Sequence, residues 1–390
     1  MALPVLQHRV IIPERPPLML AEYARAMNTF DTLITQFQDR DHINNTGLKP
    51  ILLTRLVRDQ VIDKDTFLRF CFYFIGEELG GASNNNYNLT ELSACLSYLN
   101  SRSTWAAEII EALYNGLVNF TNFIIDNLFM PLKALSTKTP NSTPGSACHL
   151  LPQEAGIGTP QRIEELRDNC LKRDRHRCVV TRYFCRVEAR ARSKVDGERL
   201  VDDDGAGLYA ERSTMEDLEV AHIFPHSLMA LNKGEQTLSE SKQLAHKLLN
   251  MFDPSVVPRI SGCDIDKPSN AITLIERAHT MFGNFEIAFE HLGGHTYKID
   301  YVDPEEIFTN LDLPVTRTLL LTPDRSIDPP AVDLLKLHYA IAKVLHMSAA
   351  GEYIDNVLRK MDETYGRQLN ANGSTPIDHY IRLKLGFVMS

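Results

Sequence analysis

The chain has 390 residues, 44% of them apolar and 23% charged, with a net charge of −9. That length exceeds one ordinary core, the composition is that of a soluble globular protein, and the acidic balance argues against a protein that coats nucleic acid without selectivity. No apolar run approaches the roughly 20 residues that span a bilayer. Prolines and charges between Met1 and Pro17 interrupt the apolar core a signal peptide needs. Seven scattered Cys fit a reducing compartment better than a disulfide framework. The expectation is an intracellular protein, cytoplasmic or nuclear, that is neither secreted nor membrane-bound.

Residues 1–18 are Pro-rich and read as an extended arm with Val10-Ile11-Ile12 as an edge strand. Apolar spacing predicts helices over Leu20–Phe37, Leu48–Arg58 and Lys64–Glu78. Gly80–Asn88 has the chemistry of a loop. Thr90 is placed to cap a short helix over Leu92–Leu99. Ser103 is placed to cap a long one from Trp105 to about Phe129, stopped by Pro131. Ile109, Leu113, Leu117, Phe120 and Ile124 give that helix a wide apolar face, suited to the core of a helical domain. Residues 136–160 collect Pro140, Pro144, Pro152, Pro160 and several Gly, Ser and Thr, and read as a linker.

From Gln161 to Lys194 the balance reverses, with eleven Lys and Arg against five Asp and Glu. Lys172, Arg173, Arg175, Arg177 and Arg182 are candidates for contact with nucleic-acid phosphates. The competing reading is a solvated helix face with internal ion pairs. Arg162–Asp174 is predicted helical and Arg177–Thr181 a strand. Cys178 and Cys185 lack the second pair that a structural zinc site requires, so buried free thiols are the better reading. Residues 186–216, with Asp202-Asp203-Asp204, read as a surface insertion.

Two stretches stand apart. Leu218-Glu219-Val220-Ala221-His222-Ile223-Phe224-Pro225 is an apolar strand ending in a His with a Pro close behind. Ser269-Asn270-Ala271-Ile272-Thr273-Leu274 is a second strand, opened by an Asn, leading to a short helix over Glu276 to about Glu290 that carries His279. A further helix is predicted between them, over Leu238–Asn250. Beyond them lie strands near Thr296–Tyr301 and Thr316–Leu321 and helices at Ala331–His346, Ala350–Tyr365 and Ile377–Lys384.

The order His strand, Asn strand, His helix resembles the HNH (ββα-metal) nuclease family. It is closest to a fungal branch that writes these parts as AHI-P and N-LTL---H--F, here Ala221-His222-Ile223-Phe224-Pro225, Asn270-Ala271-Ile272-Thr273-Leu274 and His279-Thr280-Met281-Phe282. The resemblance implies an α+β architecture: a mostly helical N-terminal domain (1–135), the linker (136–160), a ββα core with insertions (161–300) and a helical C-terminal cap (301–390). It also implies hydrolysis of phosphodiester bonds in nucleic acid, DNA in preference to RNA, with one divalent metal (Mg, Mn or Zn). Carried onto this sequence, His222 is the general base, Asn270 fixes the loop behind it and His279 is a metal ligand. An imidazole suits the base role because its ordinary pKa, near 6.5, leaves it mostly neutral at pH 7.

Two positions depart from the family pattern. The residue before the base, usually a ligand, is Ala221, as the fungal branch also has it. The position four after the helix His is Gly283. His226 and Asn284 are the substitute ligands considered, with Asp217 and with Glu219, the latter weaker because it lies three before His222 and so on the other face of its strand. Three functions follow as alternatives: a metal-dependent nuclease, metal-independent acid/base chemistry on a small molecule (isomerase, cyclase or lyase), or a non-catalytic binding protein.

Overall fold

A computed structural model describes residues 16–43, 47–82, 88–101, 105–136, 160–197, 200–229, 238–303 and 311–365. The expected arm at Val10–Ile12, the Ser103 cap, nearly all of the Pro-rich linker and the helix at Ile377–Lys384 lie outside these residues.

The N-terminal layer is helical: α1 (Leu20–Phe37), α2 (Pro50–Gln60), α3 (Lys64–Ala82), α4 (Leu92–Asn100) and α5 (Ala107–Ile124). Its centre is the α3–α5 pair. Gly116 sets their separation, since a Cβ there would lie 2.6 Å from the Ile75 Cα. Phe30, Phe67 and Phe120 stack edge to face in sequence, and Phe74 lies against Phe120 and Phe123. Where α2 meets α5, the buried hydroxyls of Thr54 and Thr121 approach to 2.8 Å over the Pro50 carbonyl, so neither is left unsatisfied.

Pro131 does not stop the chain. After Ile124 the helix widens to a π turn, Ile125–Phe129, and α6 (Met130–Ser136) follows with Pro131 in its first turn. The first turn of a helix tolerates a residue without an N–H. Phe129 of the π turn meets Phe252 at a centroid distance of 6.2 Å, carrying the helical core into the second half of the molecule.

That half begins with α7 (Pro160–Arg173) and continues through α8 (Arg186–Asp196), β1 (Leu218–His222), α9 (Glu240–Phe252), α10 (Val256–Ile260), β2 (Ala271–Ile275) and α11 (Glu276–Gly283). β1 and β2 pair antiparallel, from Leu218 opposite Ile275 to His222 opposite Ala271. A second antiparallel sheet, β3 (Ile287–Gly293), β4 (Thr296–Tyr301) and β5 (Val315–Thr318), follows in simple meander order. Then come α12 (Val332–Met347) and α13 (Ala350–Tyr365). The fold is α+β. One continuous apolar core runs from α1 through both sheets to α13. Backbone bonds also cross between the segments, Ile62 N to the Phe252 carbonyl and Lys49 N to the Ser348 carbonyl. No helix among the described residues is long and apolar enough to cross a membrane.

Thr90 does not cap α4, whose N-cap is Glu91 without a side-chain bond, and two further local expectations fail. The helix carrying His279 ends at Gly283, short of Glu290: Gly and Asn are helix stops, Phe285 takes a left-handed φ of 62°, and β3 begins. The segment Arg177–Thr181 is a tight turn, closed by the Arg182 N–H on the Cys178 carbonyl, after two successive left-handed residues, Arg175 and His176. Cys178 and Cys185 are buried free thiols.

α12 packs on β3 and places His338 between Phe282 and Phe285, stacked at 3.9 and 4.5 Å. Its Nε2 lies 3.1 Å from the Phe282 carbonyl and must be the donor, because a carbonyl can only accept. Burial pushes this imidazole down from 6.5 to about 3. Unfolded chain takes up a proton below pH 6.5 and folded chain does not until near 3, so this residue's share of stability is whole above 6.5 and is lost as pH falls towards 3. His338→Gln keeps a donor for the carbonyl and should flatten the fall in urea midpoint between pH 6.5 and 4, by a contribution of roughly a few kcal/mol. Equal pH slopes in both proteins would refute this.

Candidate functional site

The site is built on the β1–β2 pair. Side chains alternate across a strand, so this pair has two working faces. Val220 and Ala271 lie with Leu166 and Cys170 against α7, and His222, two residues from Val220, falls on that face. Glu219 and Ala221 fall on the other face, which α11 covers.

On the first face α7 supplies the foundation. Arg173 is fully buried and forms a two-point ion pair with Asp174, with bonds of 2.9 and 2.8 Å. Its remaining N–H groups hold the Pro268 and Ala271 carbonyls, while Asp174 accepts the Thr273 N–H. Arg173 is thus a strut under β2 and does not reach a nucleic acid, contrary to the expectation from the basic segment. The other members divide. Arg177 is paired with Asp202 and Glu211, Arg175 with Asp204, and Arg192 with Asp203 and Glu188. The acidic run of the insertion is therefore the counter-ion set of the basic segment. Lys172 is exposed, and Arg182 donates to the Thr318 carbonyl. The insertion has its own small apolar cluster, with Phe184, Leu200, Leu208 and Met215.

At the end of β1 the chain is held by Asn270, whose relative exposure is 0%. Its Oδ1 accepts the Phe224 N–H at 3.0 Å, and its Nδ2 donates to the Phe224 and Ile265 carbonyls at 2.8 and 2.9 Å. One side chain therefore joins the loop after His222 to the 3-10 turn Gly262–Asp266. That turn delivers Asp266, whose Oδ1 is 3.3 Å from His222 Nε2, both side chains being buried. A carboxylate at Nε2 favours the tautomer protonated there and leaves Nδ1 as the acceptor. His222 Nδ1 is buried and has no hydrogen-bond partner among the described residues.

His226 lies beside His222, with ring centroids 5.7 Å apart. Burial, then the neighbouring His222 charge, pushes its pKa down to about 4, so it is neutral at pH 7. Lys242, buried on α9, adds its positive charge to the surroundings of both His226 and His246. Sequence reasoning missed Asp266 and Lys242. Asp266 had a visible signal, a carboxylate four residues before the Asn of the motif; Lys242 had none, because its position depends on how α9 folds back.

On the second face His279 Nδ1 is 2.6 Å from Glu219 Oε2. Glu219 is thus the residue nearest in role to a ligand partner, where strand alternation had ranked it below His226 and Asn284. The alternation was right and the inference from it was not: the face away from His222 is the face under α11. His226 lies on the His222 side, and the Asn284 side chain is turned to Glu286 at 2.8 Å. Among the described residues no hydrogen bond or ion pair joins His222 to His279.

The donor set does not fit a metal held by the protein. A bond from Nδ1 to Glu219 leaves His279 one free nitrogen, a pattern common in metal-bound His. Yet Ala221 and Gly283 offer a methyl and a hydrogen where further ligands would stand. No group of three or more His, Cys, Asp or Glu able to hold a metal occurs among the described residues. Catalytic zinc takes about three protein ligands, whereas Mg²⁺ is held by one or two carboxylates together with water and substrate phosphate.

Asn270→Ala would leave the Phe224 N–H, the Phe224 carbonyl and the Ile265 carbonyl unpaired. At about 1–3 kcal/mol for each buried orphan, partly relieved by relaxation, the expected loss is about 3 kcal/mol. The urea midpoint reads this directly, and a change within about 0.5 kcal/mol, typical of a surface residue, would show that Asn270 is not the clamp.

Residues 178–290 match the family model described as HNH endonuclease. The matched span runs from the Cys178 turn through both strands and α11 into β3. No curated protein and no solved structure matches the chain.

Proposed function

We propose that the HNH-family domain formed by residues 178–290 hydrolyses phosphodiester bonds in nucleic acid, DNA in preference to RNA, with His222 as general base. At the level of the family, the match points to an endonuclease. The observation that carries the assignment to His222 is its unpartnered Nδ1, set as the acceptor by Asp266 at Nε2. Such a nitrogen can take a proton from a water admitted with the substrate, as the hydroxide oxygen bonds to phosphorus, the bond from phosphorus to the leaving sugar oxygen breaks and that oxygen takes a proton from solvent. The imidazolium so formed lies against the Asp266 carboxylate, which stabilises its charge. Asn270 acts one step back, by holding the two loops that carry His222 and Asp266.

A divalent ion is what the family uses to meet the charge on the phosphate, and His279, oriented by Glu219, is the residue that would contribute a nitrogen to one. That no group of three or more His, Cys, Asp or Glu able to hold an ion occurs among the described residues favours a second reading, metal-independent proton transfer on a small molecule by the His222–Asp266 pair.

Nicking of supercoiled plasmid, with a structured RNA in parallel, separates the two. Wild-type protein assayed in Mg²⁺, Mn²⁺, Zn²⁺ and in chelator should nick DNA, and His222→Ala should lower the rate by about 10² to 10⁴. Asp266→Asn should lower the turnover by about a hundredfold with KM unchanged, because its role is to hold the base and not the substrate. Nicking by His222→Ala at the wild-type rate would remove His222 from the mechanism. Absence of nicking by folded protein with every ion and with chelator would remove the nuclease reading and leave the small-molecule one.

A further inference from the structure

The Cys178–Phe184 turn and β5 are clasped by two arginines that reach for each other's backbone. Arg182 Nη2 donates to the Thr318 carbonyl at 2.7 Å. Arg317 Nε donates to the Val180 carbonyl at 2.7 Å, and its Nη1 reaches the Thr316 carbonyl at 3.4 Å. Both guanidiniums are thus fixed by main chain. Among the described residues neither has a carboxylate within ion-pair distance, whereas the adjacent Arg175 and Arg177 are neutralised by Asp204 and by Asp202 with Glu211. Asp174 is felt by Arg182, but both its oxygens are engaged by Arg173.

Two like charges held together in a half-buried place repel one another. Burial, then the charge of Arg317, pushes the Arg182 pKa down. Arg182 Nη1 is buried without a hydrogen-bond partner among the described residues, and the residue itself holds a left-handed φ of 67°, which disfavours a side chain bearing a Cβ. A repulsive pair, an orphaned donor and a strained backbone at one place are accounted for together if the pair is completed by an anion. Guanidinium forks match phosphate oxygens in geometry as well as charge.

We infer that Arg182 and Arg317 form a seat for a phosphate-type oxyanion, supplied either by a phosphodiester of a nucleic-acid strand or by free phosphate. The seat stands on the free edge of β2. There the Val179 N–H bonds to the Thr273 carbonyl, and the opposite edge of β2 pairs with β1 and its His222. It is therefore separate from the hydrolytic centre. If the hydrolysis reading holds, a strand cut at His222 has a second phosphate gripped here; the seat itself does not depend on that reading.

The test uses the full chain, with Arg182→Gln, Arg317→Gln and Arg317→Lys, and His222→Ala beside them. One arm measures binding of a labelled oligonucleotide by anisotropy over a range of salt. The other measures, for wild type and each variant, the melting temperature in inorganic phosphate against chloride of equal ionic strength. Each Gln variant is expected to bind the oligonucleotide about tenfold more weakly and to reduce the log–log salt slope by about one. Phosphate should raise the melting temperature of wild type more than that of the Gln variants, whose smaller rise measures the general effect of an excluded anion. Arg317→Lys should fall between, retaining charge without the fork. A phosphate response with unchanged oligonucleotide binding supports the seat with free phosphate as its occupant. An oligonucleotide response without a phosphate response supports the seat with a phosphodiester as its occupant. A phosphate shift equal in wild type and Arg317→Gln, with affinity and salt slope also equal in the two, overturns it. His222→Ala that binds as wild type but nicks as wild type overturns the hydrolysis reading alone.

Discussion

The arrangement of the site depends on the carboxamide of Asn270. It satisfies one N–H and two carbonyls in a place from which water is excluded. Unpaired, each of those groups would carry a desolvation penalty large against the few kcal/mol that separate folded from unfolded chain. The connection from β1 to β2, residues 223–270, contains among its described residues two helices and three 3-10 turns, and its closure entropy grows only slowly with its length. Length alone would leave its two ends loosely related. The carboxamide fixes them, and with them the approach of Asp266 to His222. The first link in the chain from sequence to chemistry is therefore a hydrogen-bond count and not a catalytic group.

The second constraint is charge cancellation. A run of cations in sequence looks like a surface waiting for phosphate. In the folded chain the insertion brings Asp202, Asp203 and Asp204 back over it, and Arg175, Arg177 and Arg192 are paired off. Arg173 goes further and becomes a buried strut. Net charge over a window measures what could attract a polyanion only if the window keeps its charges to itself. What survives cancellation is a smaller and better defined set, with Lys172 exposed and Arg182 joined by Arg317 from a strand more than a hundred residues later in the chain.

Much of this was legible in the sequence, and the division follows the range of the interaction. Helices α1 to α5 declare themselves by the spacing of residues such as Ile109, Leu113 and Leu117, a local property. The two motif strands are equally local, and their ladder places His222 beside Ala271. Pro131 misled because a π turn just before it changes what the backbone asks of that position. Arg177–Thr181 misled because its β-branched and apolar residues suit a strand while the left-handed pair before it forces a turn. Asp266, Lys242 and Arg317 reach their places through long connections, and no periodicity reports on those.

Glu219 shows the same limit from the other side. Strand alternation separates it from His222, and the structure agrees. The conclusion that it stands apart from the chemistry required that only one face of the strand mattered. The β1–β2 pair has an imidazole on each face, His222 against Asp266 and His279 against Glu219. The two pairs are alike in composition and differ in surroundings. In the first, Asn270 holds the two loops together and one ring nitrogen has no partner among the described residues. The second sits under a short helix, flanked by Ala221 and Gly283, whose side chains offer nothing to a cation. A centre that moves protons needs the first arrangement, in which one nitrogen is committed and the other is free. A metal held by protein ligands alone needs the second to be crowded with them, and the described residues hold no group of three or more His, Cys, Asp or Glu there. On the proposed reading, the HNH-family domain of this chain keeps the half of the site that depends on orientation more fully than the half that depends on coordination.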